Sequence, residues 1–542
     1  MTIDTPAYSD GIQQGKQTRF LGLNHNEGAG DGEIFKMQNL CSDYYPLLAT
    51  RHKRRLFKTL TKGNGIFAWE KLCWVDGTNF YYDGVLKGQV LDSKKYFCAM
   101  SGYIIIGPDM AYYDVVNDSF GHLGSSTGPG GTVQQPGEIV FKDGTIYGEA
   151  AEANTIYSAT ITWGTYFREG DAITISGCSI AANNITVIVR EIDGHEMHFY
   201  ENSFTNGTVA DAGIKFERKV PELQGMMENE NRLWGYNDQT IYVSKLGDPF
   251  NFNVFDGLDT DSFATDTGSA GDIDGCIPFR GYPIYTKEDR IYKVYGSSPS
   301  NYEILSSSVL GVAEGSGNSL AVAGDSLLYL NRNGICLHKG GLPTVIAKAF
   351  GNERYKNAVA GSDGMKYYVS MEDQAGKSHF FVYDTQKGMW HEEDDTKATH
   401  FAYAEGNLYF LDDKGKIWIT GNIQDPPQSS TLEEDFAWSA EFTDFTDNST
   451  NQKHVAKLSI RLELDKDAYC DIYIMEDSDG TWKQTNPGRI THETKRSYYL
   501  AVLPIRADHY RIKLEGKGGC RVYSITREYS YGSPYSRLPS GS

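Results

Sequence analysis

The sequence lacks long apolar runs and has little positive charge. No apolar stretch approaches the roughly 20 residues that a membrane-spanning helix needs, and the mean hydropathy is −0.45. We therefore expect no membrane span. Only 51 Lys and Arg stand against 71 Asp and Glu, which gives a formal net charge of −20. Because proteins that wrap nucleic acid present basic surfaces, this balance argues against general nucleic-acid binding.

Paired cysteines and export signals are missing as well. The eight cysteines are scattered singly, and no CxxC motif occurs. This pattern is typical of reduced, mostly buried thiols in a protein made in a cytoplasm. The first twenty residues lack the basic-then-apolar pattern of a secretion signal, so we expect no export by the usual route.

Recognisable catalytic and cofactor motifs are also absent from the sequence. It contains no HExxH, no Walker loop and no GxGxxG after a predicted strand. We therefore expect no cofactor and no enzymatic activity.

Tyrosine, phenylalanine and glycine are abundant, whereas helical periodicity is scarce. The 542 residues include 36 Tyr, 25 Phe and 58 Gly. Aromatic residues favour strands, and glycine favours tight turns. The composition therefore predicts an all-β protein, either of three or four domains or with one large β domain and attachments.

A recurring unit of strand, polar turn and aromatic strand supports this prediction. The later copies start about 30 to 50 residues apart, which is the length of one propeller blade. We therefore predict a β-propeller of six or seven blades, with the segment around 33–60 completing the last blade. The copies cover residues 71–84, 97–115, 232–244, 282–296, 319–337, 365–384 and 400–420.

Two segments interrupt or follow this spacing. A Gly-rich stretch leads into four further predicted strands between the second and third copies, which indicates a small inserted β-barrel. Alternating strands without blade spacing follow Pro426-Pro427 and indicate a β-sandwich. The predicted organisation is an N-terminal arm at 1–32, the propeller at 33–129 and 218–424, the barrel at 130–217, the sandwich at 430–530 and a mobile tail at 531–542.

Three local patterns are weighed as functional candidates. Residues 124–128 match GxSxG, but they lie in a Gly/Ser/Pro stretch, so we interpret them as a linker. Residues 256–275 hold six aspartates, which suit Ca²⁺ chemically but lack the helix–loop–helix calcium spacing; the alternative is a solvated loop. His195 and His198 are expected on opposite faces of one strand, which disfavours a shared metal.

A basic cluster stands out against the acidic whole. It contains Arg51, Lys53, Arg54, Arg55 and Lys58. Such a cluster suits phosphate or an acidic partner, and a solvated loop or a partner interface is the alternative.

Two motifs resemble the propeller-bearing tail proteins of tailed bacteriophages, of the tail nozzle or "stabilization protein" kind. The first is EIFKMQNLCSDYYPLLATRHKRR at 33–55, preceded by GLN at 22–24. The second is LWGYNDQTIYVSKLGDPFNF at 233–252. The FREGD-x-I-x-ISGC…NN pattern at 167–184 is similar to such proteins too.

This resemblance implies a virion tail protein made in the host cytoplasm. Family members assemble as a homo-oligomeric ring, for which a hexamer is one option, around the channel through which DNA passes. They bind a portal, an adaptor or a neighbouring tail protein, and the resemblance carries over no catalytic residue. In such a ring Arg51, Lys53, Arg54 and Arg55 are expected to face a neighbouring subunit or passing DNA.

Two other functions stay open at this point. A receptor- or carbohydrate-binding tail component would use Trp482, Tyr498 and Tyr499 to stack on sugar rings, whereas these aromatics would otherwise be core. A propeller enzyme acting on surface polysaccharide is the third hypothesis, and the lack of a catalytic motif counts against it.

Overall fold

The regular structure of this chain is made of β-strands. The computed structural model describes residues 12–26, 30–128, 137–142, 154–200, 203–447, 452–502 and 506–531. Within these ranges there is no α-helix, and no helix is long and apolar enough to cross a membrane. The 3₁₀ turns are Trp163–Thr165, Ala181–Asn183, Pro299–Asn301, Gly317–Ser319 and Ala347–Phe350.

The chain divides into two compact units. The middle unit is Asn64–Val312, and the terminal unit combines Met1–Gly63 with Ala313–Ser542. Seven blade-like antiparallel sheets are distributed over the two units, so the protein is a β-propeller protein, as the repeating unit predicts. Each of the seven sequence copies supplies inner strands of one blade.

The middle unit contains blades 1 to 4, and each blade is a four-stranded meander. Blade 1 consists of Gly63–Trp69, Lys71–Asp76, Asn79–Tyr82 and Val85–Gln89. Blade 2 consists of Tyr96–Met100, Tyr103–Gly107, Ala111–Asp114 and Ser119–His122. Blade 3 consists of Gly225–Asn229, Arg232–Asn237, Thr240–Val243 and Phe263–Asp266. Blade 4 consists of Gly275–Phe279, Tyr282–Lys287, Arg290–Tyr295 and Glu303–Ser307.

Neighbouring blades bury each other's faces. Val75 and Phe80 of blade 1 share one apolar cluster with Ile104 and Tyr113 of blade 2. Residues two apart on a strand point to the same face, so the alternating apolar positions of each copy supply these contacts. A single four-stranded sheet has no such partner for its two apolar faces, which explains why the unit repeats.

An eight-stranded antiparallel sheet is inserted between blades 2 and 3. Its strands, in pairing order, are Ser125–Thr127, Lys215–Arg218, Ala172–Ser176, Thr186–Asp193, Glu196–Phe199, Thr155–Ser158, Ile139–Lys142 and Gly207–Val209. Side chains from all but the first of these strands meet in one core around Trp163. The sheet is therefore curled around its own core in the manner of a small barrel, which agrees with the predicted insertion.

The terminal unit contains blades 5 to 7. Blade 5 consists of Ala321–Ala323, Ser326–Asn331, Gly334–His338 and Thr344–Val345. Blade 6 consists of Tyr355–Ser362, Lys366–Asp373, Ser378–Asp384 and Met389–Asp394. Blade 7 consists of Ala398–Ala404, Asn407–Asp412, Lys416–Thr420, Arg55–Thr59 and Thr431–Leu432. The early strand Arg55–Thr59 pairs with Lys416–Thr420, so the prediction that an N-terminal segment completes the last blade is confirmed for these residues.

Two further sheets of the terminal unit form a sandwich around one large core. The first sandwich sheet contains Leu40–Cys41, Leu48–Thr50, Cys520–Tyr531, Lys453–Leu464 and Arg496–Leu500, with Gln13–Gln17 and Arg506–Ala507 attached. The second sandwich sheet contains Ile34–Gln38, Ala437–Phe442, Tyr510–Lys517, Tyr469–Glu476 and Lys483–Ile490.

These pairings correct part of the predicted organisation. Residues 34–50 were expected in the propeller, but Ile34–Gln38 pairs with Ala437–Phe442, and Leu48–Thr50 pairs with the last strand. Ser125–Thr127 likewise pairs within the insertion rather than within the propeller. Strand pairing between segments 400 residues apart leaves no local pattern, which is why sequence periodicity missed it. The predicted tail beyond residue 531 lies outside the described residues.

Candidate functional site

The most densely organised polar cluster lies where the chain passes from the sandwich into blade 7. It contains Arg51, Arg54, Glu393, Asp394 and Glu433, and we call it the junction cluster. The two arginines are only 5% and 3% exposed. They lie on the segment between the sandwich strand Leu48–Thr50 and the blade strand Arg55–Thr59, whereas Glu393 and Asp394 end blade 6.

Arg54 is held by the two acidic residues at the end of blade 6. Its terminal nitrogens lie 2.7 Å from Oε2 of Glu393 and 2.8 Å from Oδ2 of Asp394. The guanidinium carbon is 4.8 Å and 5.1 Å from the ring centres of Phe380 and Phe410. The charge is thus paired and also stacked against aromatic faces, which is the environment that a buried arginine requires.

Arg51 connects the same region to the segment that leads into the sandwich. It donates two hydrogen bonds to Glu433, at 2.8 and 3.0 Å, in a bidentate arrangement. Its Nε donates to Oδ1 of Asn39 at 2.7 Å, and its guanidinium lies 4.1 Å from the ring centre of Phe436. Asn39 adopts a left-handed φ of 57° and donates to the carbonyl of Ala437. One arginine therefore ties the two passages between propeller and sandwich together.

Burial and pairing act in opposite directions on the ionisation of this cluster. Burial by itself raises the pKa of Asp394, but the nearby Arg54 and Arg51 outweigh it and hold that pKa below its usual value. Burial likewise opposes the charge of Arg54, while Asp394 and Glu393 raise its pKa above the ordinary value. The pairing of Arg54 with Asp394 therefore favours the charged form of both groups and locks the junction.

This geometry corrects the expectation for Arg51 and Arg54. Both are buried against carboxylates of their own chain, so neither faces a neighbouring subunit or DNA. Lys53 lies 2.6 Å from Asp435 with about a third of its side chain exposed, and Arg55 donates to Ser430. The partner-facing role stays a prediction for these last two residues.

A small cavity beside the junction cluster contains the most strongly perturbed histidine. Its volume is about 10 Å³, and its lining includes His391, Lys366 and Asp43. Burial lowers the pKa of His391 to about 3, with a further contribution from Lys366, so the imidazole is neutral at pH 7. The Lys366 ammonium is itself paired with Asp43. A cavity of this size holds at most one water molecule, so the grouping does not admit an organic substrate.

A second polar junction ties the insertion to blade 3 within the middle unit. The Asn251 amide donates to Oδ1 of Asp171 at 3.0 Å, and its carbonyl accepts from the backbone of Ala172. Arg218 pairs with the same aspartate. The neighbouring Phe250 ring lies 3.3 Å from the guanidinium carbon of Arg168. The insertion is therefore held by buried polar contacts to the loop that follows the strand Thr240–Val243.

The three aromatics proposed for sugar stacking do not form one surface. Tyr498 lies in the sandwich core, whereas its neighbour Tyr499 is 64% exposed, because successive residues of a strand point to opposite faces. Trp482 lies on the chain next to Lys483–Ile490, a strand of the other sandwich sheet, with the Lys513 ammonium 4.9 Å from its ring centre. Tyr498 is thus removed as a stacking residue, and only Trp482 and Tyr499 remain.

The other sequence candidates have structural roles. Ser126 pairs with Glu217 inside a strand, so the GxSxG match is not the strand-to-helix elbow of a hydrolase. The aspartate-rich loop is held by buried Arg232, which donates to the carbonyl oxygens of Asp259 and Asp261. The His195 ring contacts the carbonyl of Ile161, and His198 contacts Thr155.

One group with metal-ligand chemistry occurs among the described residues. Asp477, Asp508 and His509 bring one ligand atom each within 4.8 Å of one another. The cluster lies at the surface, the His509 ring is hydrogen-bonded to Ser478, and the Lys453 ammonium donates to the carbonyl of Asp508. These contacts account for the arrangement without an ion.

Comparison with known proteins adds little beyond the fold. No family model matches the chain, and no curated protein matches it by sequence. Among solved structures, Hsv2 of Kluyveromyces lactis is 12% identical with a TM-score of 0.28, over 51% of this chain and 88% of its own. PorZ, an essential surface component of the type-IX secretion system of Porphyromonas gingivalis, is 10% identical with a TM-score of 0.25, over 87% and 82%. The phage phi92 endosialidase is 9% identical with a TM-score of 0.15, over 79% and 56%. Similarities this low carry no argument about activity or partners.

Proposed function

We propose that this protein is a structural component of a bacteriophage tail: a nozzle- or hub-like ring protein that forms part of the DNA-ejection channel and docks other tail proteins. One observation carries the proposal. The two segments whose residues resemble phage tail proteins, 33–55 and 233–252, each contribute residues to one of the two polar junctions. These segments hold Arg51, Arg54, Phe250 and Asn251.

Such junctions suit a ring subunit for a mechanical reason. A closed ring requires every subunit to present its two unlike interfaces at a fixed angle, since a small error per subunit prevents closure. Buried, ion-paired contacts resist rotation of an attached domain because their separation would strand charges away from water. The sandwich and the insertion would therefore keep a fixed orientation to the blades they contact.

The acidic composition supports passage of DNA rather than its retention. A net charge of −20 repels phosphates, and repulsion along a channel wall lets a genome slide without sticking.

The proposal is tested by the mass of the purified protein, measured by light scattering after gel filtration, alone and with a portal–adaptor assembly from a tailed phage that encodes it. We expect a ring of about six copies of the 60.4 kDa chain, visible by negative-stain microscopy. A chain that stays monomeric in both conditions and binds no tail assembly would refute it.

A further inference from the structure

Two cysteines lie side by side where the chain crosses between the two sandwich sheets. Cys470 is the second residue of Tyr469–Glu476 in the second sheet, and Cys520 opens Cys520–Tyr531 in the first sheet. They are 0% and 4% exposed. Both are free thiols, and both belong to the core that the two sheets enclose.

The topology of the crossings explains this proximity. The chain leaves the first sheet after Leu464 and enters the second just before Cys470, and it returns from the second to the first between Lys517 and Cys520. Leu464 pairs with Cys520, and Cys470 pairs with Gly516, so the two crossings are adjacent. Packed sheets are about 10 Å apart, whereas a disulfide needs Cα atoms about 4.4 to 6.8 Å apart. A corner, where the chain passes from one sheet to the other, brings the two sheets within that reach.

A cavity also lies beside Cys520. This cavity, of about 130 Å³, is lined by Thr50, His52, Lys53, Cys520 and Arg521, among others. Both cysteines belong to the core of the sandwich, but only Cys520 also lines this cavity. Cys520 is therefore the thiol nearer to a path for a reagent, and Cys470 is placed to resolve the product.

We propose that Cys470 and Cys520 form a dithiol that closes to an inter-sheet disulfide when the protein meets an oxidised low-molecular-weight disulfide, such as oxidised glutathione. The thiolate of Cys520 attacks one sulfur of the reagent, forms a mixed disulfide and releases one equivalent of the reduced thiol. Cys470 then loses its proton, attacks the Cys520 sulfur and releases the second equivalent. Two protein thiols are oxidised and one reagent disulfide is reduced.

This inference is independent of the tail function. It requires only that the folded chain encounter an oxidising medium after synthesis under reducing conditions. The bridge would join strands on opposite sheets and close a long loop of chain, so oxidation would stabilise the terminal unit by restricting its unfolded state.

The test is peptide mapping of the full-length protein. Reduced protein is freed of reductant, incubated with oxidised glutathione, quenched with N-ethylmaleimide and digested with trypsin without reduction. We expect a linked pair of tryptic peptides, Asp467–Lys483 with Gly518–Arg521. The intact mass should fall by the two hydrogens that the bond removes, and the melting temperature should rise and return with dithiothreitol.

Matched variants separate this pair from the other cysteines. C470S and C520S should lose the linked peptide and the thermal shift, whereas C336S should keep both, because Cys336 lies in blade 5. C470S should also leave Cys520 as a stable glutathione adduct. Two results would overturn the proposal: wild-type protein that carries only glutathione adducts, or protein in which both thiols react with maleimide after prolonged oxidation.

Discussion

The junction cluster yields the sharpest prediction, the effect of Arg54→Met. Methionine approximates the length of the arginine side chain but removes its charge, so Glu393 and Asp394 lose their closest partner, at 2.7 and 2.8 Å. Removing one member of a buried ion pair costs about 3 to 5 kcal/mol. Arg51 remains 3.7 Å from both carboxylates, so we expect the lower end, about 3 kcal/mol. For a unit of this size that corresponds to a fall in melting temperature of about 6 °C.

Differential scanning fluorimetry, with calorimetry to resolve the units, measures this shift. The matched control is Lys53→Met, which breaks a half-exposed ion pair with Asp435 and should cost less than about 1 kcal/mol. Adding Glu393→Gln to Arg54→Met should recover part of the loss, because the stranded carboxylate becomes neutral. A melting temperature for Arg54→Met as close to wild type as that of Lys53→Met would refute the assignment of the cluster as a lock.

Three further predictions concern other parts of the chain. The folded-state pKa of His391 is lowered to about 3, whereas a histidine in the unfolded chain has a pKa of about 6.5. Between these two values the unfolded chain binds a proton that the folded protein does not bind. The stability of the fold should therefore fall as the pH drops from about 6.5 towards about 3. His391→Gln should flatten that slope in urea titrations, and an unchanged slope would contradict the assignment. Asn251→Ala should cost about 1 to 3 kcal/mol, because Oδ1 of Asp171 loses this donor and the backbone N–H of Ala172 loses its acceptor. Limited proteolysis should then release fragments of the insertion sooner than in wild type. Tyr498→Ala should destabilise the terminal unit by about 3 kcal/mol or more, whereas Tyr499→Ala should leave its melting temperature unchanged; a glycan array on the second variant tests whether that exposed ring binds sugar.

Local pattern was sufficient to predict the strands and the repeating unit. The copies at 71–84 and 400–420, for example, correspond to inner strands of blades 1 and 7. This success has a physical basis, because the period-two alternation and the turn glycines of a meander act between residues close in sequence. The inserted and C-terminal β domains were predicted on the same basis.

The sequence by itself thus determined the all-β class, a propeller of six or seven repeats and the absence of recognisable catalytic motifs. Only the tertiary structure decided that residues 34–50 complete the sandwich and that Arg51 and Arg54 are buried. It also placed Cys470 and Cys520 at adjacent crossings between the two sandwich sheets. The reason is that the local sequence of a basic run is the same whether the run faces water or pairs with a carboxylate more than 300 positions away. Long-range pairing supplies that carboxylate, and no local pattern encodes it.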